Sequence, residues 1–433
     1  MNILILGSGG REHCIAWKIS QNTKVNKIYA IPGNAGIARI AECTYMPLEK
    51  ENFPSILEFV KDKKIDFTIV GPEAPLVEGI VDFLEENGHE AFGPSKDAAR
   101  IEGSKVFTKK FAEKNNIPGA KAYFFKKNEY EKAKDFIGEL RNDSYPWVIK
   151  ADGLAAGKGV IICKDQHEML EALEDFFIRD VFGKSGEEII IEEFIEGFEV
   201  SIMCICDGKR IIPLEPAQDY KKVFDSDKGR NTGGMGSFSP VPFVDDILLE
   251  KILDKIIFPT FESLKREGID YRGILYGGII VKENEPYLLE YNCRFGDPET
   301  QVVLPRLDSD LLDILMDASK GNLGNTELKW STDKCVCVVI ASRGYPETSS
   351  KGDIIYGIKE HSNKNDVLIF HAGTSMDKDN IVTSGGRVLN IVSKDKTFKG
   401  AIEKNYNKIK SINFNGMQYR NDIARKVAEK ENN

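Results

Sequence analysis

Trp147-Val-Ile-Lys150-Ala-Asp-Gly153-Leu-Ala-Ala-Gly157-Lys158-Gly159-Val-Ile-Ile162 reads as two short apolar strands folded around a glycine-rich loop. Glycine permits backbone conformations closed to other residues and lets N–H groups approach an anion closely. Lys150, on the strand entering the loop, adds a charge suited to a polyphosphate pressed under a flap. A lysine taken singly is ordinarily a solvated surface charge, but Trp147-Val148-Ile149 has no solvated period and favours a functional role. The loop is similar to a P-loop without being one: three residues separate Gly153 from Gly157, and Gly159 stands where a P-loop places the Ser or Thr for Mg²⁺. Lys105, distant in sequence, is a candidate second charge.

Upstream, apolar strands at Asn2 to Leu6, Lys27 to Ile31, Phe67 to Val70 and Glu90 to Gly93 alternate with helical stretches at Glu12 to Gln21, Phe53 to Lys61 and Leu76 to Asn87. This is the βαβ pattern of a parallel sheet. Gly7-Ser-Gly9-Gly10-Arg-Glu12 follows the first strand and opens a helix, where N–H groups and the positive helix end can hold a phosphate. A tight turn needed only for packing fits the same residues. As a dinucleotide fingerprint the turn fails, because Glu12 replaces the third glycine and the second strand ends Tyr29-Ala-Ile-Pro-Gly33 with no carboxylate for a ribose. NAD and an oxidoreductase are disfavoured. Pro32-Gly33-Asn-Ala-Gly36 and Gly71-Pro72-Glu73-Ala-Pro75 follow the next strands, so three loops are expected at the carboxyl edge of one sheet.

A helix from Lys105 to Asn116 ends before Ile117-Pro118 and marks a boundary near residue 120. Past the flap come a helix from His167 to Phe177, a strand from Glu188 to Glu192, a loop from Asp219 to Pro242 and a helix from Asp246 to Glu267. A hairpin of Leu275 to Val281 and Pro286 to Tyr291 turns through Lys282-Glu-Asn-Glu285, and the last part holds short strands and a lysine-rich helix.

The 433 residues carry 59 Lys and Arg against 68 Asp and Glu, a net −9 that argues against a nucleic-acid partner. No apolar run approaches the roughly 20 residues that span a bilayer. Met-Asn-Ile-Leu-Ile-Leu-Gly lacks the basic region and cleavage site of a signal peptide, so a cytoplasmic enzyme with no membrane partner is expected. Cys204/Cys206 and Cys335/Cys337 share one strand face each; with 8 cysteines and 5 histidines at no zinc spacing, structural thiols are expected.

Most chemistry lies in Pro286-Tyr-Leu-Leu-Glu290-Tyr-Asn292-Cys-Arg294-Phe-Gly-Asp297-Pro-Glu299. Glu290 and Asn292 alternate at a strand end, so both project to one face as hard oxygen ligands for Mg²⁺ bridging a nucleotide's phosphates. Arg294 continues the alternation if the strand extends, bringing a fixed positive charge to phosphoryl transfer. A salt-bridged strand end fits the same Glu and Arg.

Together, the flap after Lys150, Glu192-Glu193-Phe194-Ile195 with Glu199, and Glu290-x-Asn292-x-Arg294 resemble the ATP-grasp superfamily. Gly9-Gly-Arg-Glu-His13, Gly71-Pro-Glu-Ala-Pro-Leu76, Lys150 to Gly159, Asn231-Thr-Gly-Gly-Met-Gly236, Asn292-Cys-Arg-Phe-Gly-Asp-Pro-Glu-Thr-Gln301, His371-Ala-Gly373 and Gly385-Gly-Arg387 narrow it. From end to end they resemble the phosphoribosylamine–glycine ligase family of purine biosynthesis. Two departures stand in one loop: Gln218-Asp219-Tyr220-Lys221-Lys222 replaces Gln-Asp-His-Lys-Arg, and Arg230 replaces a proline.

The resemblance implies an ATP-grasp fold, α/β (α+β overall). Its parts are an N-terminal parallel-sheet α/β substrate domain (1–120), a small mobile lobe with the flap (121–191), a large lobe with the metal centre (192–325) and a C-terminal mixed domain (326–433). It implies ATP between the lobes, with adenine at Glu192, Glu193, Phe194 and Ile195 and ribose on Glu199. Phosphates would lie near Lys105, Lys150, Gly157, Lys158 and Gly159. Glu290 and Asn292 are the implied ligands of Mg²⁺ or Mn²⁺. Gly9, Gly10, Gly71, Pro72 and Glu73 would take the phosphoribosyl group of phosphoribosylamine, with Asp219 also at substrate. Arg294, Asp297 and Lys150 are the catalytic candidates, Asp297 facing the ammonium of glycine. A monomer or weak oligomer is expected. Another ATP-grasp carboxylate–amine ligase is disfavoured by Gly296 to Gln301, and a silent nucleotide-binding regulator by the intact Lys150, Glu290, Asn292 and Arg294.

Overall fold

The computed structural model describes residues 1–141, 145–153, 159–358 and 367–431. A five-stranded sheet opens the chain: Asn2–Gly7 lies at its centre, flanked by Lys27–Pro32 and Phe67–Val70, with Glu42–Cys43 and Ala91–Phe92 at the edges, all pairs parallel. Ile3, Leu4, Ile5 and Leu6 are wholly buried, as expected of a strand covered on both faces. The chain leaves the central strand towards one edge and returns on its other side at Phe67–Val70. The topological switch point therefore falls between the loops that follow Gly7 and Val70, where doubly wound sheets bind their ligands. The expected helix from Leu76 to Asn87 is two, Glu73–Glu78 and Ile80–Glu86, broken at Gly79, whose φ of 93° is left-handed.

Two antiparallel four-stranded sheets follow. The first pairs Ala122–Lys126, Glu188–Glu193, Trp147–Ala151 and Val160–Cys163 and packs on the helices Tyr130–Glu139 and Gln166–Phe177. The second orders Ile211–Pro213, Phe198–Asp207, Arg272–Lys282 and Glu285–Asn292. Phe194 to Gly197 joins the two sheets, and Gly197 lies so close to the Val281 carbonyl that a Cβ would collide with it. The expected hairpin turns on two residues, Glu283 and Asn284, both with positive φ, the conformation that matches strand twist in tight hairpins.

The expected loop from Asp219 to Pro242 is largely strand. Gln218–Asp219 and Gly236–Ser239 enter a sheet with Lys334–Ala341, Arg387–Asp395 and Val367–His371, while Lys222–Phe224 pairs with Lys228–Asn231. Its glycines and single charges hid a partner strand far along the chain. The helical stretch from Asp246 to Arg266 is interrupted by one wide π turn at Leu253–Ile257, just before Pro259, which has no N–H to donate back. All eight cysteines are free thiols, and Cys204, Cys206, Cys335 and Cys337 are buried. No helix among the described residues is long and apolar enough to cross a membrane.

Candidate functional site

A cavity of about 1220 Å³ opens where these sheets meet, lined from the switch point, both four-stranded sheets and the C-terminal sheet. Of the expected residues, Gly9, Pro72, Glu73, Lys105, Lys150 and Gly159 line it. So do Glu192, Glu193, Phe194, Ile195, Glu199 and Asp219. Glu290, Asn292, Arg294 and Asp297 complete the wall. Gly10 and Gly71 do not line it: Gly10 lies against Gln301 and Asn390, and Gly71 against the Glu12 side chain. Gly157 and Lys158 lie outside the described residues.

A β-bulge sets the aim of the strand Glu285–Asn292. Gly278 faces Glu290 while Ile279 faces Leu288, so Leu289 is an extra residue. Leu288 and Tyr291, three apart, consequently both enter the core, and Glu290 and Asn292 face the cavity. Burial alone would raise the Glu290 carboxyl; Lys221, Lys150, Lys105 and Arg294 together outweigh it and hold the group below its usual value. Among the described residues its carboxylate makes no hydrogen bond or ion pair.

Those donors fit a hard cation. One carboxylate and one amide oxygen are too few for a closed cage, and no group of three or more His, Cys, Asp or Glu among the described residues could hold a metal ion alone. Mg²⁺ is ordinarily held in this way, by one or two protein ligands with phosphate oxygens and water completing the shell.

Lys150 follows the alternation of its strand: Trp147, Ile149 and Ala151 enter the core between this sheet and its two helices, while Val148 and Lys150 reach the cavity. The Lys150 ammonium is ion-paired with Glu192, whose other oxygen lies 2.7 Å from Lys109 Nζ. Sequence reasoning missed Lys109, although it stands one helical turn after Lys105. Lys105 Nζ donates to the Gly153 carbonyl at 2.8 Å, and burial pushes its ammonium below the usual value. Ser104 caps the helix Lys105–Lys114 through Phe107 N–H and also donates to Asp152 at 3.0 Å, tying the helix to the chain just beyond the strand Trp147–Ala151. Ala151 N–H donates to Gly159 O at 2.8 Å.

Arg294 lies beyond the strand, which ends at Asn292. Its guanidinium stands 3.0 Å from Glu102 and 3.3 Å from Glu73 and donates to Asn292 Oδ1 at 3.2 Å. It is salt-bridged and faces the cavity at once. Asp297 accepts from Gln301 Nε2 at 2.7 Å and lies 3.5 Å from Arg387. Burial opposes its ionisation, but Arg387 and Arg11 keep it below the usual value. Arg387 also donates to the Gly233 and Asp297 carbonyls at 2.5 and 2.7 Å.

Glu12, which spoils the dinucleotide motif, is buried in the switch-point turn. Its carboxylate accepts from Gly9 N–H at 2.5 Å and Arg11 Nε at 2.6 Å, and a Cβ on Gly7, Gly9 or Gly71 would collide with it. The helix end thus carries its own anion. Around Lys221, Glu199 lies at 2.7 Å, and burial, with Glu299, Glu199 and Glu290 nearby, pushes Asp219 up to about 8 against the pull of Lys221.

Family models of phosphoribosylglycinamide synthetase match successive parts of the chain: the N domain over residues 1–102, the ATP-grasp (A) domain over 103–300 and the C domain over 335–426. A phosphoribosylamine–glycine ligase of Caldanaerobacter subterraneus subsp. tengcongensis is 47% identical over 424 residues, 98% of this chain and 99% of the relative. The crystal structure of the phosphoribosylamine–glycine ligase of Thermotoga maritima superposes with a TM-score of 0.82 at 34% identity, over 98% of this chain and 100% of that one. The biotin carboxylase domain of the Hydrogenobacter thermophilus 2-oxoglutarate carboxylase, solved with MgADP, shares the fold at 16% identity and a TM-score of 0.74, over 96% of this chain and 91% of that one. Three consecutive family domains, in order, and a relative of almost the same length leave one assignment: the chain belongs to the phosphoribosylglycinamide synthetase family.

Proposed function

We propose that the chain ligates glycine to 5-phosphoribosylamine at the expense of ATP, giving glycinamide ribonucleotide, ADP and phosphate in purine biosynthesis. The convergence of Lys105, Lys150, Glu290, Asn292, Arg294 and Asp297 on one cavity beside the switch point carries this reading. A glycine carboxylate oxygen attacks the γ-phosphorus, and the bond to the β,γ-bridging oxygen breaks to release ADP. The amine of phosphoribosylamine then attacks the carbonyl carbon of the glycyl phosphate; the C–O bond to phosphate breaks and the nitrogen loses a proton.

In this reading adenine lies along Glu192 to Ile195 and ribose at Glu199, with the phosphates towards Lys105, Lys150 and the flap. Glu290 and Asn292 would hold Mg²⁺ or Mn²⁺, which when bound neutralises phosphate charge. Arg294 supplies fixed positive charge beside the transferring group, and Asp297 orients the glycine ammonium. Phosphoribosylamine enters along Gly9, Pro72 and Glu73. The units 1–120, 121–191, 192–325 and 326–433 are its working parts, and a cytoplasmic monomer or weak oligomer is its expected form.

Purified protein given ATP, Mg²⁺ and glycine, with phosphoribosylamine formed in place from ribose 5-phosphate and ammonia, tests the reading. ADP and glycinamide ribonucleotide, identified by mass and requiring both substrates, are expected; ADP without that product would refute it.

A further inference from the structure

Glu192 is a buried carboxylate between two buried ammonium groups. Its side chain is 3% exposed, that of Lys109 6% and that of Lys150 10%. Each oxygen has its own partner: Oε1 takes Lys150, and Oε2 takes Lys109 at 2.7 Å. One lysine would suffice to neutralise one carboxylate. Two leave the group with a surplus positive charge in a poorly solvated place, a costly arrangement unless one of them has another partner. Both lysines line the cavity. Lys150 comes from the strand Trp147–Ala151, just before the glycine-rich loop, whereas Lys109 comes from the helix Lys105–Lys114 and, among the described residues, is ion-paired with Glu192 alone.

We propose that Lys109 is a positioning residue for the nucleotide: it keeps Glu192 paired when Lys150 turns from that carboxylate to a phosphate oxygen. This rests on the reading of Lys150 as a phosphate ligand. Without Lys109, moving Lys150 to the phosphate would strand a buried carboxylate, and the strength of the Lys150–Glu192 pair would be subtracted from phosphate binding. Burial and Lys150 both push the Lys109 ammonium down, and Glu192 pulls it up, consistent with a lysine whose charge is kept by that one carboxylate. Lys109 touches no substrate in this scheme.

The test is equilibrium binding of ADP and of adenosine, with Mg²⁺ present, to the full chain and its variants. Lys109→Met leaves the Lys150–Glu192 pair intact, so the variant is expected to fold. ADP binding should weaken about tenfold or more, which is about 1.4 kcal/mol, while adenosine changes by less than about twofold. Lys109→Arg should recover most of the loss. In Lys109→Met/Glu192→Gln no carboxylate is stranded when Lys150 turns to the phosphate, and the ratio of ADP to adenosine affinity should return towards that of the parent protein. A loss that is the same for adenosine and ADP, or a ratio that the double variant leaves low, would mean a structural role and overturn the proposal. Lys150→Ala separates the two levels. If it weakens ADP and Lys109→Met does not, only the role of Lys109 falls; if Lys150→Ala binds ADP unchanged, the phosphate reading falls and this proposal with it.

Discussion

Glu102 and Arg294 form an ion pair of 3.0 Å that joins the segment after the parallel sheet to the end of the strand Glu285–Asn292. The second Glu102 oxygen accepts from Cys293 N–H at 2.7 Å, so one buried carboxylate fixes both the backbone and the guanidinium next to Asn292. Glu102→Ala would leave Glu73 as the one carboxylate paired with Arg294 among the described residues. Breaking one side of a buried pair should lower unfolding stability by about 3 kcal/mol, and turnover should fall more than ATP affinity does. Chemical denaturation beside steady-state kinetics measures both; an unchanged kcat would remove Arg294 from the transfer step.

Glu290→Ala and Asn292→Ala should each cut ligation by roughly a hundredfold or more while the fold persists, because neither side chain is part of the core. Glu290→Asp should be partly rescued by raised Mn²⁺ or Mg²⁺. ADP release followed across a metal titration checks this, and parent-like turnover in either Ala variant would displace the metal centre.

Asp219 titrates near 8 when folded, far above the usual 3.8 of an aspartate. Between those values the folded protein holds a proton that the unfolded chain has released, so this group's contribution to stability declines as pH rises from about 4 to 8. Melting of the ligand-free protein should therefore fall less steeply over pH 6 to 9 in Asp219→Asn. Parallel curves for the two proteins would show that Asp219 ionises normally.

His13 and His371 give the opposite slope. His13 Nδ1 accepts from His371 N–H at 2.8 Å, and His371 Nδ1 lies 3.1 Å from Thr374 Oγ1. Burial pushes both imidazoles down, His371 to about 3. Below 6.5 the unfolded chain takes up protons that the folded one refuses, so stability should drop as pH falls from about 6.5 towards 4. A His371→Asn variant, with a shorter neutral amide at that place, should lose part of this drop in thermal melts.

Local pattern made much of the molecule legible. Alternation placed Glu290 and Asn292 on one face, the unsolvated run before Lys150 singled that lysine out, the βαβ rhythm gave the parallel sheet, and glycine-bearing loops marked its carboxyl edge. What sequence hid depends on partners far along the chain. The strand at Gly236–Ser239 exists because Lys334–Ala341 pairs with it. The bulge at Leu289 is invisible until Gly278 is known to lie opposite. Glu12 looked like a broken motif because its role, filling the turn between Gly9 and Gly71, needs both loops in place. Lys109 carried no signal apart from its spacing from Lys105, since one more lysine on a helix is ordinarily solvated.

The sheet that receives Gln218–Asp219 also sets an order of assembly. Asp219 is braced by Ser237, and Ser237 by Cys337, a strand made roughly a hundred residues later. At ribosomal speeds of about 5–20 residues per second, the acidic wall of the cavity waits on the order of ten seconds for its neighbour. A nascent chain could already hold its parallel sheet and both four-stranded sheets while remaining unable to complete the site, and a fragment stopped before Lys334 would stay in that condition permanently.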